Sequence, residues 1–223
     1  MSQGFFITGT DTEVGKTRVT LAIMAALQAQ EKQVVGMKPI ASGCRETEQG
    51  LCSDDAMQLI QQSSSKQEYS LVNPYAFAPP IAPHIAAQKT GVIIDMEQIL
   101  SAYRTLQSKS DVVVVEGVGG WRVPLGDNST LGDMVKLLGL PVIMVVGLRL
   151  GCINHALLTA EAIITDGNDM IGWVANQVEQ DYADMEATLD TLRARLKAPL
   201  IGMLDYEPVL QIASLSGAID LPV

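Results

Sequence analysis

The sequence predicts an α/β fold, a mostly parallel central sheet with helices on both faces. Three observations predict it. Short β-rich runs alternate with helical stretches of about ten to fifteen residues along the chain, the pattern of successive βαβ units. The Val, Ile and Leu of those runs do not alternate with polar residues, as expected of strands covered on both sides. The first run, Phe5-Phe6-Ile7, leads into Gly9-Thr10-Asp11-Thr12-Glu13-Val14-Gly15-Lys16-Thr17 and then an Ala- and Leu-rich stretch. A strand, a glycine-containing loop and a helix in that order make a phosphate cradle, so the predicted fold is P-loop NTPase-like.

Taken in order, strands are predicted over 4–8, 33–38, 111–116, 141–147, 170–175 and 199–204. Helices are predicted over 16–30, 54–62, 95–108, 130–138, 154–165 and 182–196. Residues 72–87 hold four prolines and read as irregular. No repeat or low-complexity linker divides the chain, and the serines at 63–65 are too few to do so, so residues 1–223 read as one domain with a substantial core.

The composition restricts function. The net charge is −10 and the pI about 4.6, which speaks against nucleic acid or anionic lipid as a partner, because such surfaces need basic patches. Any anionic ligand must be held by a local site. The three cysteines, Cys44, Cys52 and Cys152, have no metal-like spacing, and residues 141–147, one of the longest apolar runs, fall far short of the ~20 that cross a bilayer. With a strand at the N-terminus in place of a signal sequence, a reduced, cytoplasmic protein with no membrane segment is expected.

Within the cradle, backbone N–H groups and the positive end of a helix dipole face one anion. Lys16 adds a mobile charge and the Thr17 hydroxyl a ligand for Mg²⁺. The glycine that usually lies five residues before the second is here Thr10, with Gly9 one earlier, so the loop is one residue longer than the ordinary pattern.

Ligands of open α/β sheets bind at the carboxyl ends of the strands, so the polar residues there are the candidates. The second predicted strand ends in Lys38-Pro39, followed by Ala41-Ser42-Gly43. Lys38 there suits a site for a substrate that brings negative charge close to a γ-phosphate; the bland alternative is a lysine whose head snorkels to the surface. The third ends in Glu116 before Gly117-Val118-Gly119-Gly120, a place for a carboxylate on Mg²⁺ or its waters, or for one that only caps the glycine loop. Asp55, in the first turn of its helix, is either a second magnesium ligand or an ordinary helix-start acid. The fifth strand runs out at Asn176 and the last at Asp205. Before the helix at 154–165, Gly151-Cys152-Ile153 with Asn154 as N-cap would offer N–H groups to an anion or form an ordinary cap.

Together these residues resemble the dethiobiotin synthetases, ATP-dependent carboxylases of biotin synthesis. The likeness rests on Gly9 to Thr17, Lys38-Pro39 with Ser42, Asp55, Val72-Asn73-Pro74-Tyr75, Pro83-His84, Val115-Glu116-Gly117 and Gly119-Gly120-Trp121. It continues through Gly151-Cys152-Ile153-Asn154-His155 and Gly172-Trp173-Val174-Ala175-Asn176 to Ala198-Pro199-Leu200-Ile201-Gly202. It spans nearly the whole chain, and the long phosphate loop is the family's form.

The resemblance implies a reaction in which 7,8-diaminononanoate, CO₂ (or bicarbonate as its source) and MgATP give dethiobiotin, ADP and phosphate. One amine captures CO₂ as a carbamate, ATP phosphorylates it, and the second amine closes the ring. It implies Lys16, Lys38, Thr12 and Glu13 as catalytic, with Thr17, Asp55 and Glu116 on the magnesium and Ser42 on the substrate side. It implies nucleotide contacts from Glu13, Val14, Gly15, Lys16, Thr17 and Arg18, from Gly117, Val118 and Gly119, and from Asn176 and Gln177, with Asp205, Tyr206 and Glu207 closing over the nucleoside. It also implies a homodimer in which Gly151, Cys152, Ile153 and Asn154 of one subunit bind the carboxylate of the substrate held by the other. Residues 178–188 match the family pattern poorly, and the aromatic expected against the substrate tail does not stand out among them. Trp121, His84 and His155 read as structural, since a lone histidine without a paired carboxylate or nucleophile offers no proton relay.

Two other readings share the scaffold. Partition and septum-site ATPase switches carry a lysine five residues before the loop lysine, where this chain has Asp11. Corrinoid-type amide ligases generally add a glutamine amidotransferase domain, for which 223 residues leave no room.

Overall fold

The structure is a computed structural model that describes residues 3–48, 50–208 and 217–221. In chain order the elements begin with β1 (Gln3–Gly9), α1 (Lys16–Ala29), β2 (Val34–Met37), β3 (Ile40–Ser42), β4 (Arg45–Thr47), β5 (Gly50–Cys52), α2 (Asp54–Gln62) and α3 (Tyr69–Val72). They continue through β6 (Tyr75–Phe77), α4 (Pro83–Thr90), α5 (Met96–Gln107), β7 (Val112–Gly120), α6 (Leu131–Leu138), β8 (Val142–Leu148), α7 (Cys152–Thr165), β9 (Met170–Gln177), α8 (Met185–Arg195) and β10 (Leu200–Leu204).

Six strands form one parallel sheet in the order β10-β9-β8-β1-β7-β2, with β1 paired to β7 on one side and β8 on the other. The chain runs to one edge through α1 and to the other through α6, α7 and α8. Crossovers of one hand that travel in opposite directions must lie on opposite faces. Accordingly Val19, Leu21, Ile23, Met24 and Leu27 of α1 and Leu59 of α2 pack on Phe5, Ile7, Val112, Val114, Ile143 and Val145. Residues of α5 to α8, such as Leu106, Val135, Ala156 and Leu189, pack on Phe6, Val113, Val115, Met144, Val146 and Trp173. Successive strand residues thus enter different cores, which is why the valines of β7 run without polar interruption.

The same parity directs the site. Lys38 and Glu116 continue the α1-facing registers of β2 and β7 and come to the end of the sheet where the phosphate loop begins. As the edge strand, β2 would leave N–H groups unpaired, but Val34 and Gly36 donate to the hydroxyls of Ser64 and Ser63 at 3.0 and 3.1 Å. The serines read as too short to divide domains are edge caps.

Several boundaries differ from the sequence reading. Residues 72–87 are not irregular throughout: Tyr75–Phe77 pairs in parallel with Ile40–Ser42, and Pro83 begins α4, where a missing N–H costs nothing. Strand β7 does not stop at Glu116 but runs on to Gly120, which pairs with Gly9 beside the phosphate loop. Helix α7 starts at Cys152 with Gly151 as N-cap at φ 92°, so Asn154 is not the cap; glycine takes this left-handed turn at no steric cost. Helix α8 starts at Met185, three residues later than expected, after Asp184 at φ 53°. All three cysteines are unpaired, and among the described residues no helix is long and apolar enough to cross a membrane.

Candidate active site

The phosphate loop is wound tightly between β1 and α1. Glu13 at φ 59° and Gly15 at φ 84° turn the backbone, and Val14 packs into the interior between them at 1% exposure. A Cβ on Gly9 would meet Val14 Cγ2 at 2.7 Å, and one on Gly147 of β8 would meet Val14 Cβ at 3.0 Å, so these glycines let the loop lie against the strand ends. The Lys16 ammonium folds back and donates to the Asp11 carbonyl at 2.8 Å. Burial, with the nearby Lys38 charge, pushes the Lys16 pKa down to about 8.

Lys38 lies just after β2, 4% exposed, and its ammonium sits 2.6 Å from Glu116 Oε1 and 2.8 Å from Asp55 Oδ2. It is no snorkelling lysine. Burial alone would lower its pKa, but the Glu116 and Asp55 carboxylates outweigh that and hold it above the ordinary lysine value. In return, although burial would raise the Asp55 carboxyl, Lys38 holds it below the usual range.

Thr17 Oγ1 donates to Glu116 Oε1 at 2.9 Å, so Thr17, Asp55, Glu116 and Lys38 form one cluster. Glu116 is 1% exposed, and its second oxygen is buried with no hydrogen-bond partner, an orphan acceptor. Two carboxylates and a hydroxyl are hard oxygen donors of the kind Mg²⁺ takes, so the residues fit that ion. Among the described residues no group of three or more His, Cys, Asp or Glu is gathered, so an ion here would rely also on phosphate and water oxygens.

A cleft of about 590 Å³ opens over this cluster. It is lined by Thr12, Glu13, Gly15, Lys16, Thr17, Lys38, Ser42, Asp55, Glu116, Val118 and Gly119, which the sequence reading had singled out. Thr12 and Glu13 stand exposed at its lip, while the Ser42 hydroxyl is buried and has no protein partner. The rest of its lining is apolar: Ala41, Pro80, Ile81, Ala82, Pro83, Val123 and Pro124. Sequence reasoning missed that lining. Its one local signal was the clustering of prolines at 74–83.

Other predicted residues gather elsewhere. Arg18, Val14 and Asn176 meet at the end of β9: the Asn176 amide donates to the Val14 carbonyl at 2.9 Å and accepts from Arg18 at 3.1 Å. Arg18 also pairs with Glu207 at 3.3 Å, and the Tyr206 N–H donates to Gln177 at 3.2 Å, tying the stretch after β10 to this corner. Asp205 is exposed beside it, and Gly117 packs against Phe6.

Gly151, Cys152, Ile153 and Asn154 begin α7 and do not line the cleft of their own chain. Near them Arg149 pairs with Asp11 of the phosphate loop at 2.8 Å, a link no motif announced. The Tyr182 hydroxyl lies 3.9 Å from Cys152 Sγ and 3.1 Å from Thr188 Oγ1, which brings an aromatic from the divergent segment to the start of α7. Trp121 is buried and donates to Asp166 at 2.8 Å, a structural role.

A family model described as an AAA domain matches residues 3–214. The chain is 45% identical over 218 residues to the ATP-dependent dethiobiotin synthetase BioD of Xanthomonas oryzae pv. oryzae, covering 98% of this chain and 97% of that one. It is 47% identical over 221 residues to the same-named protein of Nitrosospira multiformis, with coverage of 99% and 96%. Among solved structures, the septum site-determining protein MinD complexed with Mg-ADP from Pyrococcus horikoshii aligns at TM-score 0.59 and 15% identity, over 98% of this chain and 87% of that one. The MinC:MinD cell division complex of Aquifex aeolicus gives TM-score 0.60 at 16% identity, over 96% and 85%. At those identities the likeness to the MinD proteins is one of fold.

Proposed function

The chain belongs to the ATP-dependent dethiobiotin synthetase family, ligases of biotin biosynthesis, and from that premise we propose that it closes 7,8-diaminononanoate and CO₂ into dethiobiotin at the expense of ATP. The observation that carries the reading is the convergence of Lys16 and Lys38 on one cleft whose remaining lining is largely apolar. A carbamate that must approach an anionic γ-phosphate needs fixed positive charge, and the methylenes of a nonanoate chain need an apolar surface.

Each residue then has a physical task. The loop N–H groups and Lys16, released from the Asp11 carbonyl, hold the β- and γ-phosphates. Thr17, Asp55 and Glu116 would hold magnesium, which would supply positive charge beside those phosphates. Lys38 faces the carbamate and the transferring phosphoryl group. Glu13 attracts the substrate ammonium, while Thr12 and Ser42 orient the amine that becomes the carbamate. The wall from Pro80 to Pro83 with Val123 and Pro124 keeps water from the carbamic-phosphoric anhydride until the second amine closes the ring. Asn176 and Gln177, with Asp205, Tyr206 and Glu207, border the nucleoside.

The same reading makes the protein a single-domain cytoplasmic homodimer, with Gly151 to Asn154 of one subunit completing the other's site. Exposed Leu150, Leu158 and Ile164, at 94%, 58% and 51% on and beside α7, support such an interface. A switch ATPase is less well supported, because Asp11 is acidic and already paired with Arg149. The test is to incubate the protein with labelled bicarbonate, MgATP and the diamine. Label in an acid-stable, ring-closed product is expected, and its absence would overturn the proposal.

A further inference from the structure

We propose that Asn176 is a positioning residue for the phosphate loop, one that holds the triphosphate cradle in shape irrespective of any contact with the base. Its side chain is 3% exposed at the end of β9, and both ends of the amide are engaged by the loop and the first turn of α1. The Val14 carbonyl can only accept, so it fixes Nδ2 toward the loop; Arg18 can only donate, so it fixes Oδ1 toward itself. The assignment of the amide is settled by its partners.

The bond falls at the loop's most constrained point. Val14 precedes Gly15, which lines the cleft in the left-handed region at φ 84°, and a Cβ on Gly15 would lie 2.1 Å from Asn176 Nδ2. Holding the Val14 carbonyl therefore sets the orientation of the peptide plane that joins it to Gly15. Arg18 is itself anchored by Glu207, so the clamp runs from β10's following stretch through Arg18 and Asn176 to the cradle. Losing it should loosen the amides that face phosphate.

The inference rests on the reading that the cleft binds a nucleoside triphosphate. The experiment compares parent, Asn176→Ala and Asn176→Asp by calorimetric titration with MgATP and with magnesium tripolyphosphate, which has no base or sugar. The aspartate keeps the shape and the acceptor toward Arg18 but cannot donate to Val14. One net hydrogen bond corresponds to about 3- to 10-fold in affinity, and both variants should lose this for tripolyphosphate as well as for ATP. Amide hydrogen exchange at residues 13–17 should quicken in both variants while the sheet core stays protected, a readout that does not depend on activity. Loss of ATP affinity with tripolyphosphate binding and loop exchange unchanged would overturn the proposal and leave Asn176 a base reader only. Unchanged binding of both ligands would overturn it too. A parent that binds neither ligand would instead sink the triphosphate reading, and the inference with it.

Discussion

Replacing Lys38 by glutamine separates ground-state binding from phosphoryl transfer. In the structure its ammonium neutralises both Glu116 and Asp55 at 2.6 and 2.8 Å, while Lys16 lies on the loop itself. A magnesium ion brought in with ATP supplies competing charge to the same carboxylates, so the loss of Lys38 leaves MgATP affinity within about threefold of the parent value. Among the described residues that line the cleft the cations are Lys16 and Lys38, and with Lys16 on the β- and γ-phosphates the carbamate charge falls to Lys38; removal of one such electrostatic group costs about 10²–10³ in rate, or roughly 3–4 kcal/mol. Without ligand, Glu116 would be left buried with only the amide and Thr17. Stripping one partner from a buried ion pair costs about 3–5 kcal/mol, and the glutamine N–H should keep the loss near the lower figure. Measurements therefore belong at saturating MgATP, where 100-fold excess over the dissociation constant restores about 2.7 kcal/mol. The assay is nucleotide calorimetry beside single-turnover formation of the ring-closed product. If Lys38→Gln loses ATP binding in proportion to turnover, or makes product at the parent rate, the reasoning fails.

Four further outcomes are expected. Lys16, whose pKa is pushed from the ordinary lysine value of 10.5 down to about 8 by burial, is protonated below pH 8 and loses its proton above it. ATP affinity should then be flat below pH 8 and decline above it, with uptake of about half a proton on binding at pH 8, measured by calorimetry in buffers of different ionisation enthalpy. Because the folded state releases this proton earlier than the unfolded chain, the cost of burying Lys16 is present below pH 8 and fades as pH rises toward 10.5, so this group alone makes stability rise over that interval. Asp55→Asn and Glu116→Gln should each weaken magnesium-dependent ATP binding about tenfold or more while metal-free binding changes little; a nucleotide-bound structure with either carboxylate beyond a water's reach of the metal would reject their pairing. Leu158→Glu on exposed α7 should yield a monomer by sedimentation with activity lost, whereas a monomer fully active at nanomolar concentration would refute the shared site.

Local sequence determined a good deal here, because its signals act over short reach. The order strand, loop, helix around Gly9 to Thr17 needed only neighbouring residues, and the uninterrupted Val112 to Val115 run announced burial on both faces. Lys38 and Glu116 stood out because charge at the tip of a buried strand has few uses. Tertiary structure alone decided the rest. That Lys38, 78 residues away, donates to Glu116 Oε1 follows from β7 inserting between β1 and β2, a pairing no local pattern encodes. The cleft's apolar wall joins residues 80–83 to 123–124, and the Asn176 hook on Val14 spans 162 positions. Even the start of α7 was set by Gly151 turning left-handed at the end of β8, which outweighed the capping preference of Asn154. Each depends on which chain segments the fold makes neighbours, and those contacts arise from the burial of whole faces, which local residue preferences do not specify.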